Sequence, residues 1–273
     1  MRIIAISSLG PEHRYVLQQL NSVFPITAVI QPTMAPARKP RSRAAKIARL
    51  LSHPVKVASS RWNDWWKDRR ETREHHTLEA ALFPRSGAPW DVPKHPIRRD
   101  QLHAPETLEL IDSYQPDLIV TAGCPLLRPE LFDRPRFGTV NLHWGISPAY
   151  AGEDTLFWPL YRHDLENMGV TLHRIDETID GGPCLRQGRL SCESGDTEVS
   201  TTIRAARLAA PLLIEIVSEM AAGRPFEGNK PAGPGQLYRR RDRRWYHDVI
   251  FWWNRRRANA FRSTSGTSMR SAP

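Results

Sequence analysis

The chain has 273 residues, 40% of them hydrophobic and 25% charged, which argues against wholesale disorder and allows one large domain or two small ones. Its 39 basic residues against 29 acidic give a net charge of +10, which points first toward nucleic acid or an anionic surface. Three cysteines (Cys124, Cys184, Cys192) exclude a disulfide framework and suit a reducing cytosol, and no stretch approaches the roughly 18 apolar residues of a membrane span.

The opening run Ile3-Ile4-Ala5-Ile6 is too short for a signal peptide and predicts a buried strand over 2–8. Pro11 starts a helix that carries Val16, Leu17, Leu20 and Val23 at helical spacing. Pro25 closes it, and Ile26–Ile30 reads as a second strand. Strand, helix, strand in this span is the signature of a parallel sheet.

Residues 33–99 break the alternation and read as a basic insertion into an α/β domain covering 1–235. Within it, 43–51 predicts a basic amphipathic helix. A second helix is expected over 61–82, with Trp62, Trp65 and Trp66 near its start. The proline-rich stretch 84–96 reads as a loop. The alternation then resumes. Pro105–Ser113 predicts a helix with Leu108 and Ile111 inward. Leu118–Ala122, Thr139–His143 and Gly169–Ile175 predict strands, and Thr197–Ala222 a long helix stopped by Gly223. The expected fold class is α/β, a mostly parallel twisted sheet with helices on both faces.

The tail, 236–273, predicts a short aromatic helix. Trp245, Val249 and Trp252 share one face, and Tyr246, Ile250 and Trp253 the next; residues 262–273 read as a disordered end. The charge follows this division. Residues 33–99 hold 16 Lys/Arg against 6 Asp/Glu, the tail holds 10 against 2, and the remainder holds 13 against 21. Seven of the nine tryptophans also lie in the two basic segments. Three readings stay open: the segments pack together by their aromatics, they touch a membrane surface, or, ranked lowest, they bind nucleic acid.

Asn141 and His143 stand two apart on a strand and so face the same side. They lie near its C-terminal end, where open α/β sheets bind ligands. An imidazole serves as acid or base, and an amide donates to an oxyanion. The loop Asp176-Glu-Thr-Ile-Asp180-Gly-Gly could bring a carboxylate to His143. The alternative is a capping Asn141 and a hydrogen-bonded core His143.

The elements Gly138-Thr-Val-Asn141-Leu-His143, Pro148-Ala-Tyr150-Ala-Gly152, Gly169-Val-Thr-Leu-His173, Asp176-Glu-Thr-Ile-Asp180-Gly-Gly and Gly195-Asp-Thr resemble the N10-formyltetrahydrofolate-dependent formyltransferases in order and spacing. That family joins methionyl-tRNA, glycinamide ribonucleotide and sugar N-formyltransferases with related deformylases. The resemblance implies a Rossmann-like formyltransferase domain, N10-formyltetrahydrofolate as formyl donor, and a catalytic Asn141, His143 and Asp180. Asn141 and His143 would stabilise the oxyanion while Asp180 helps move the amine's proton. The resemblance also places the folate against Cys124, Pro125, Leu126 and Leu127 on one side and the loop with Asp176, Glu177 and Ile179 on the other, with His173 supporting that loop. For Leu126 and Leu127, core packing is the alternative. Tyr150, Gly152 and Asp154 would fall on the acceptor side, where an acidic residue could hold an ammonium. The alternative for Glu153–Thr155 is a helix start with aromatics in the core. The chain departs from the family at Trp144-Gly145-Ile146-Ser147-Pro148, where many members carry Ser-Leu-Leu-Pro.

The expected activity is transfer of a formyl group to a primary amine. An amino sugar on a nucleotide carrier, or another envelope-directed amine, is preferred by elimination and resemblance. The alternatives are a methionyl-tRNA formyltransferase, a formyltetrahydrofolate hydrolase, and an idle scaffold that binds anionic surfaces. Only 48 residues follow Pro225 and show no set of alternating strands, so a tRNA-binding barrel is not expected. No metal site is visible. The expected location is cytoplasmic, with peripheral membrane contact through the basic segments as one reading; the expected partner is a small or carrier-linked amine, and a homodimer is left open.

Overall fold

The computed structural model describes residues 1–34, 42, 52–84, 90–192, 195–224, 228–233 and 235–265, the last ten of these as backbone only. The basic helix expected over 43–51 lies outside the described residues. So do residues 266–273 of the expected disordered end.

Strand β1 (Ile3–Ser7) is buried along its whole length. Ile3 and Ala5 join one apolar layer while Ile4 and Ile6 join the other, so a strand covered on both faces reads as an unbroken apolar run. Helix α1 (Pro11–Val23) buries Val16, Leu17 and Leu20, the face set by its sequence spacing. Strand β2 (Ile26–Thr33) continues past the expected Ile30. Helix α2 (Pro54–Leu82) starts ahead of the expected 61, and among its described residues only Asn63, Leu78 and Leu82 are buried.

Strand β3 (Lys94–Arg98) corrects the loop expected over 84–96. It pairs in parallel with β2 at the sheet edge, where Pro96 is tolerated because an edge strand has no second neighbour to satisfy. The last residues of the expected insertion therefore belong to the sheet. Then follow helix α3 (Pro105–Ser113), strand β4 (Leu118–Ala122), the short helix α4 (Pro129–Phe132) and strand β5 (Thr139–Trp144). The remaining elements are β6 (Tyr150–Gly152), α5 (Phe157–Arg162), β7 (Gly169–Arg174), β8 (Cys184–Arg189), α6 (Glu198–Ala221), β9 (Gln236–Tyr238) and α7 (Trp245–Ser265). Residues 262–265, expected to be disordered, continue the α7 backbone.

The seven-stranded sheet has the order β3-β2-β1-β4-β5-β7-β8, with β7 alone running opposite to the other six strands. Helices α1 and α6 and the end of α2 cover one face; α3 and α4 cover the other. Thr197 caps α6 by a reciprocal pair of 2.9 Å hydrogen bonds with Ser200, which explains the Asp-Thr before the helix.

The tail is tied to the body in two places. β9 pairs in parallel with β6 as a separate two-stranded sheet, and Tyr150, Phe157, Trp158 and Tyr238 form an aromatic core beside it. Just before α7, the Arg243 guanidinium is 2% exposed. It donates to Asp154 Oδ1 at 2.9 Å, to both Glu198 oxygens at 2.9 and 2.8 Å, and to Asp248 Oδ1 at 2.7 Å. Its flat face lies 3.6 Å from the centre of the Phe157 ring. Asp248 also takes hydrogen bonds from Arg70 at 3.2 Å and Trp66 Nε1 at 3.0 Å, which joins α2 to α7.

Removing one member of a buried ion cluster leaves the others without partners. Arg243→Ala is expected to lower the unfolding free energy by about 3–5 kcal/mol in urea denaturation. A loss below about 1 kcal/mol would mean that the carboxylates relax into water.

Candidate active site

At the C-terminal ends of β1, β4 and β5 the connections diverge. The chain leaves β1 toward β2 on one side and returns to place β4 on the other. Such a switch point opens a crevice. A cleft of about 660 Å³ lies there, ample for a small organic ligand.

Strand alternation sends Val140 and Leu142 into the core, so Asn141 and His143 turn to the other face. The register sets His173 of β7 opposite Asn141. Thr121 Oγ1 donates to Asn141 Oδ1 at 2.7 Å, which fixes the amide orientation. Asn141 Nδ2 then donates to His173 Nε2 at 3.0 Å and lies 3.4 Å from Asp180 Oδ1. His173 Nδ1 donates to the Arg174 carbonyl at 2.9 Å, leaving Nε2 as the acceptor this requires. His143 Nε2 donates to the Tyr150 carbonyl at 2.8 Å and turns Nδ1 toward Asp180 Oδ2, 3.4 Å away.

Asp180 occupies the left-handed region at φ 49°, an unfavourable conformation for a residue with a Cβ. Two contacts hold it there. The Gly152 N–H donates to Oδ2 at 2.7 Å, and Ser147 Oγ donates to the Asp180 carbonyl at 2.7 Å. Burial opposes ionisation of Asp180, but His143, His173 and the Gly152 N–H outweigh it and bring the carboxyl down to about 2. Burial pulls His143 below the ordinary histidine value, against the opposing pull of Asp180.

Two glycines are required by space. Gly152 has φ +92°, and a Cβ there would lie 2.0 Å from the Tyr238 carbonyl of β9. Gly145 has φ +135°, and a Cβ would come within 3.1 Å of Thr155 and 3.3 Å of His143 Nε2. The Trp144-Gly145 departure thus forms a tight turn. Trp144 stacks on His13 and donates to its Nε2 at 2.8 Å.

The structure brings Asn141, His143, Asp180, Cys124, Pro125, Leu126, Ile179, Gly152 and Asp154 to the cleft wall. It does not bring Leu127, Asp176, Glu177 or Tyr150 there. Leu127 packs against the α3–α4 layer, and Asp176 caps Thr178 at 2.8 Å. Glu177 is exposed away from the cleft. The Tyr150 side chain is buried, stacks on Tyr238 and donates to Asp164 at 2.9 Å; only its carbonyl reaches His143. Asp154 is on the wall but already engaged by Arg243. Sequence reading missed Thr121, which looks like any strand threonine, and the tail residues Leu237, Tyr238, Arg239 and Arg240, which line the same cleft.

The family model for formyl transferases matches residues 30–217, and the chain belongs to that family. It is 26% identical over 156 residues to the methionyl-tRNA formyltransferase of Chlorobium chlorochromatii, covering 57% of this chain and 49% of that one. It is 32% identical over 136 residues to the GDP-perosamine N-formyltransferase of Brucella melitensis, covering 50% and 51%. The chain therefore spans about half the length of these curated relatives. In fold it resembles a sugar N-formyltransferase from Shewanella, with a TM-score of 0.55 at 16% identity over 89% of this chain and 78% of that one.

Glu74 of α2 also lines the cleft, and burial beside Glu198 pushes its carboxyl up to about 8. A carboxyl raised in the folded state costs stability once pH passes its unfolded value, and the cost is complete above the folded one. Glu74→Gln should therefore melt higher than the parent at pH 8–9 and match it near pH 4. Equal melting temperatures across that range would show that Glu74 titrates normally.

Proposed function

We propose that the chain transfers a formyl group from N10-formyltetrahydrofolate to a primary amine, and that the acceptor is an amino sugar on a nucleotide carrier. The convergence of Asn141, His143 and Asp180 on one cleft carries this reading. The Brucella melitensis relative supports the acceptor class. Two features of the cleft suit a flat donor ring. Leu126 and Ile179 stand 70% and 40% exposed on its wall, apolar surface that a ring would cover. His13 accepts from Trp144 at Nε2, so its Nδ1 carries the hydrogen; that buried N–H has no formed hydrogen bond, although Glu12 is 3.2 Å away.

The donor supplies an activated one-carbon unit at the nitrogen that will leave. Asn141 Nδ2, aimed by Thr121 and His173, donates to the formyl oxygen as negative charge builds there, giving up its long 3.4 Å contact with Asp180 to do so. The His143–Asp180 pair takes the proton of the attacking amine. Asp180 alone is a weak base, with its carboxyl at about 2. His143 Nδ1 points at that carboxylate, so a proton arriving on the imidazole forms an ion pair within the site. The new bond joins the amine nitrogen to the formyl carbon. The bond from that carbon to the folate nitrogen breaks, and the pair returns the proton to the departing nitrogen.

Tetrahydrofolate release, followed with a panel of nucleotide-linked amino sugars and with aminoacylated tRNA, tests the reading. Asn141→Ala, His143→Ala and Asp180→Ala should each lower kcat by about 10²-fold or more. Thr121→Val should lower it by roughly 10-fold while leaving KM for the donor unchanged. Parent-like rates in all three site variants would refute the mechanism. Turnover with tRNA alone would refute the acceptor.

A further inference from the structure

We propose that the outer faces of α2 and α7 dock on the surface of an anionic lipid bilayer. The inference goes beyond formyl transfer and does not depend on it. The two basic segments lie far apart in the chain, yet the fold brings them together. Their junction is largely polar: Asp248 holds Trp66 Nε1 and Arg70, and Asn63 Oδ1 accepts the Trp245 N–H at 3.0 Å. Had the segments packed chiefly through their aromatic rings, the tryptophans would be buried. Instead Trp62 and Trp65 are 48% and 45% exposed, and Trp252 and Trp253 are 51% and 54% exposed.

These side chains form stripes. On α2, Val55, Trp62, Trp65 and Arg69 recur at helical spacing on the side away from the buried Asn63 and Leu78. On α7, Tyr246, Val249, Ile250 and Trp253 do the same, while Phe251 turns inward onto Phe157. The exposed Lys56, Arg61, Arg69, Arg241 and Arg244 make no ion pair among the described residues. Asp64 and Asp68 sit to one side of the α2 stripe.

The chemistry selects the occupant. The helices carry less charge than their segments, 6 Lys/Arg against 5 Asp/Glu on α2 and 4 against 1 on α7, but a second copy would still set the exposed Lys56, Arg61, Arg69, Arg241 and Arg244 against like charges. Single-stranded nucleic acid would use the rings but not the aliphatic Val55, Val249 and Ile250, which are 78%, 38% and 42% exposed. An anionic bilayer uses every part: phosphates meet the arginines, indoles lie at the headgroup level, and aliphatic groups reach the acyl boundary.

The 273-residue chain is to be floated with phosphatidylcholine vesicles, with and without phosphatidylglycerol, at low and physiological salt. Binding should strengthen about 10-fold or more with the anionic lipid, weaken with salt, and shift tryptophan emission to the blue. The combined Trp62→Ala, Trp65→Ala, Trp252→Ala, Trp253→Ala variant should bind at least about 10-fold more weakly while keeping the parent's circular dichroism. Arg61→Glu with Arg69→Glu, on exposed positions that do not hold the fold, should weaken binding by a similar factor and decides the question if the tryptophan variant misfolds. No flotation of the parent with anionic vesicles overturns the proposal. So does undiminished binding by the charge variant or by a folded tryptophan variant, as does binding to an RNA oligonucleotide or self-association in place of vesicle binding.

Discussion

Arg243 leaves water to sit among Asp154, Glu198 and Asp248, with Phe157 against its flat face. A guanidinium buried to this degree is tolerable only if all its donors are satisfied, and here they are. The requirement binds three stretches of chain at once: the loop before α5, the first residue of α6, and the start of α7. Lysine could not replace it, because only a planar fork reaches both oxygens of Glu198 while still meeting two other carboxylates. The neighbouring Arg70 extends the cluster into α2. Among the described residues, the side of the cleft that carries Gly152 and Asp154 is thus built largely from segments outside the central sheet.

That arrangement reaches the candidate site through short mechanical links. Arg243 fixes Asp154, two residues past Gly152. The β6–β9 pairing brings the Tyr238 carbonyl so close to Gly152 that no side chain fits between them. Gly152 in turn donates to Asp180, which keeps that carboxylate facing His143 despite an unfavourable backbone conformation. On the opposite side, Thr121 and His173 set the amide of Asn141 from two neighbouring strands. Rigid strands hold the amide and the imidazole, whereas a strained loop and a borrowed tail strand hold the carboxylate. Charge follows the same division: burial, with His173 beside it, pulls His143 down, while several close partners govern Asp180.

Much of the sheet was legible. β1 and β4 are buried along their whole length, and continuous apolar runs bounded by turn residues mark such strands clearly, whereas β5 shows in the alternation of Val140 and Leu142 with polar residues. β3 was hidden because every second residue of an edge strand faces water and Pro93 and Pro96 mimic a loop. β8 reads Cys-Leu-Arg-Gln-Gly-Arg, too polar to stand out, and β9 is only three residues long. Asn141 and His143 could be paired from the period of two. The place of Asp180 came from resemblance, since the approach of a loop across 37 residues has no periodic signal. Arg243 is one of ten basic residues in the tail and nothing local distinguishes it.

By itself the sequence determined the α/β class, the parallel sheet and the strand that carries the amide and imidazole. Those features depend on apolar periodicity, which is a local property of the chain. Only the tertiary structure decided that Thr121 and His173 orient Asn141, that Tyr150, Asp176 and Glu177 keep their side chains off the cleft, and that the tail completes its wall. It also joined the two aromatic helices α2 and α7 through Asp248, with Trp66 turned into the junction and Trp62, Trp65, Trp252 and Trp253 exposed. The reason is that hydrogen bonds and ion pairs between distant segments depend on where each chain end is delivered in space, and composition leaves that open.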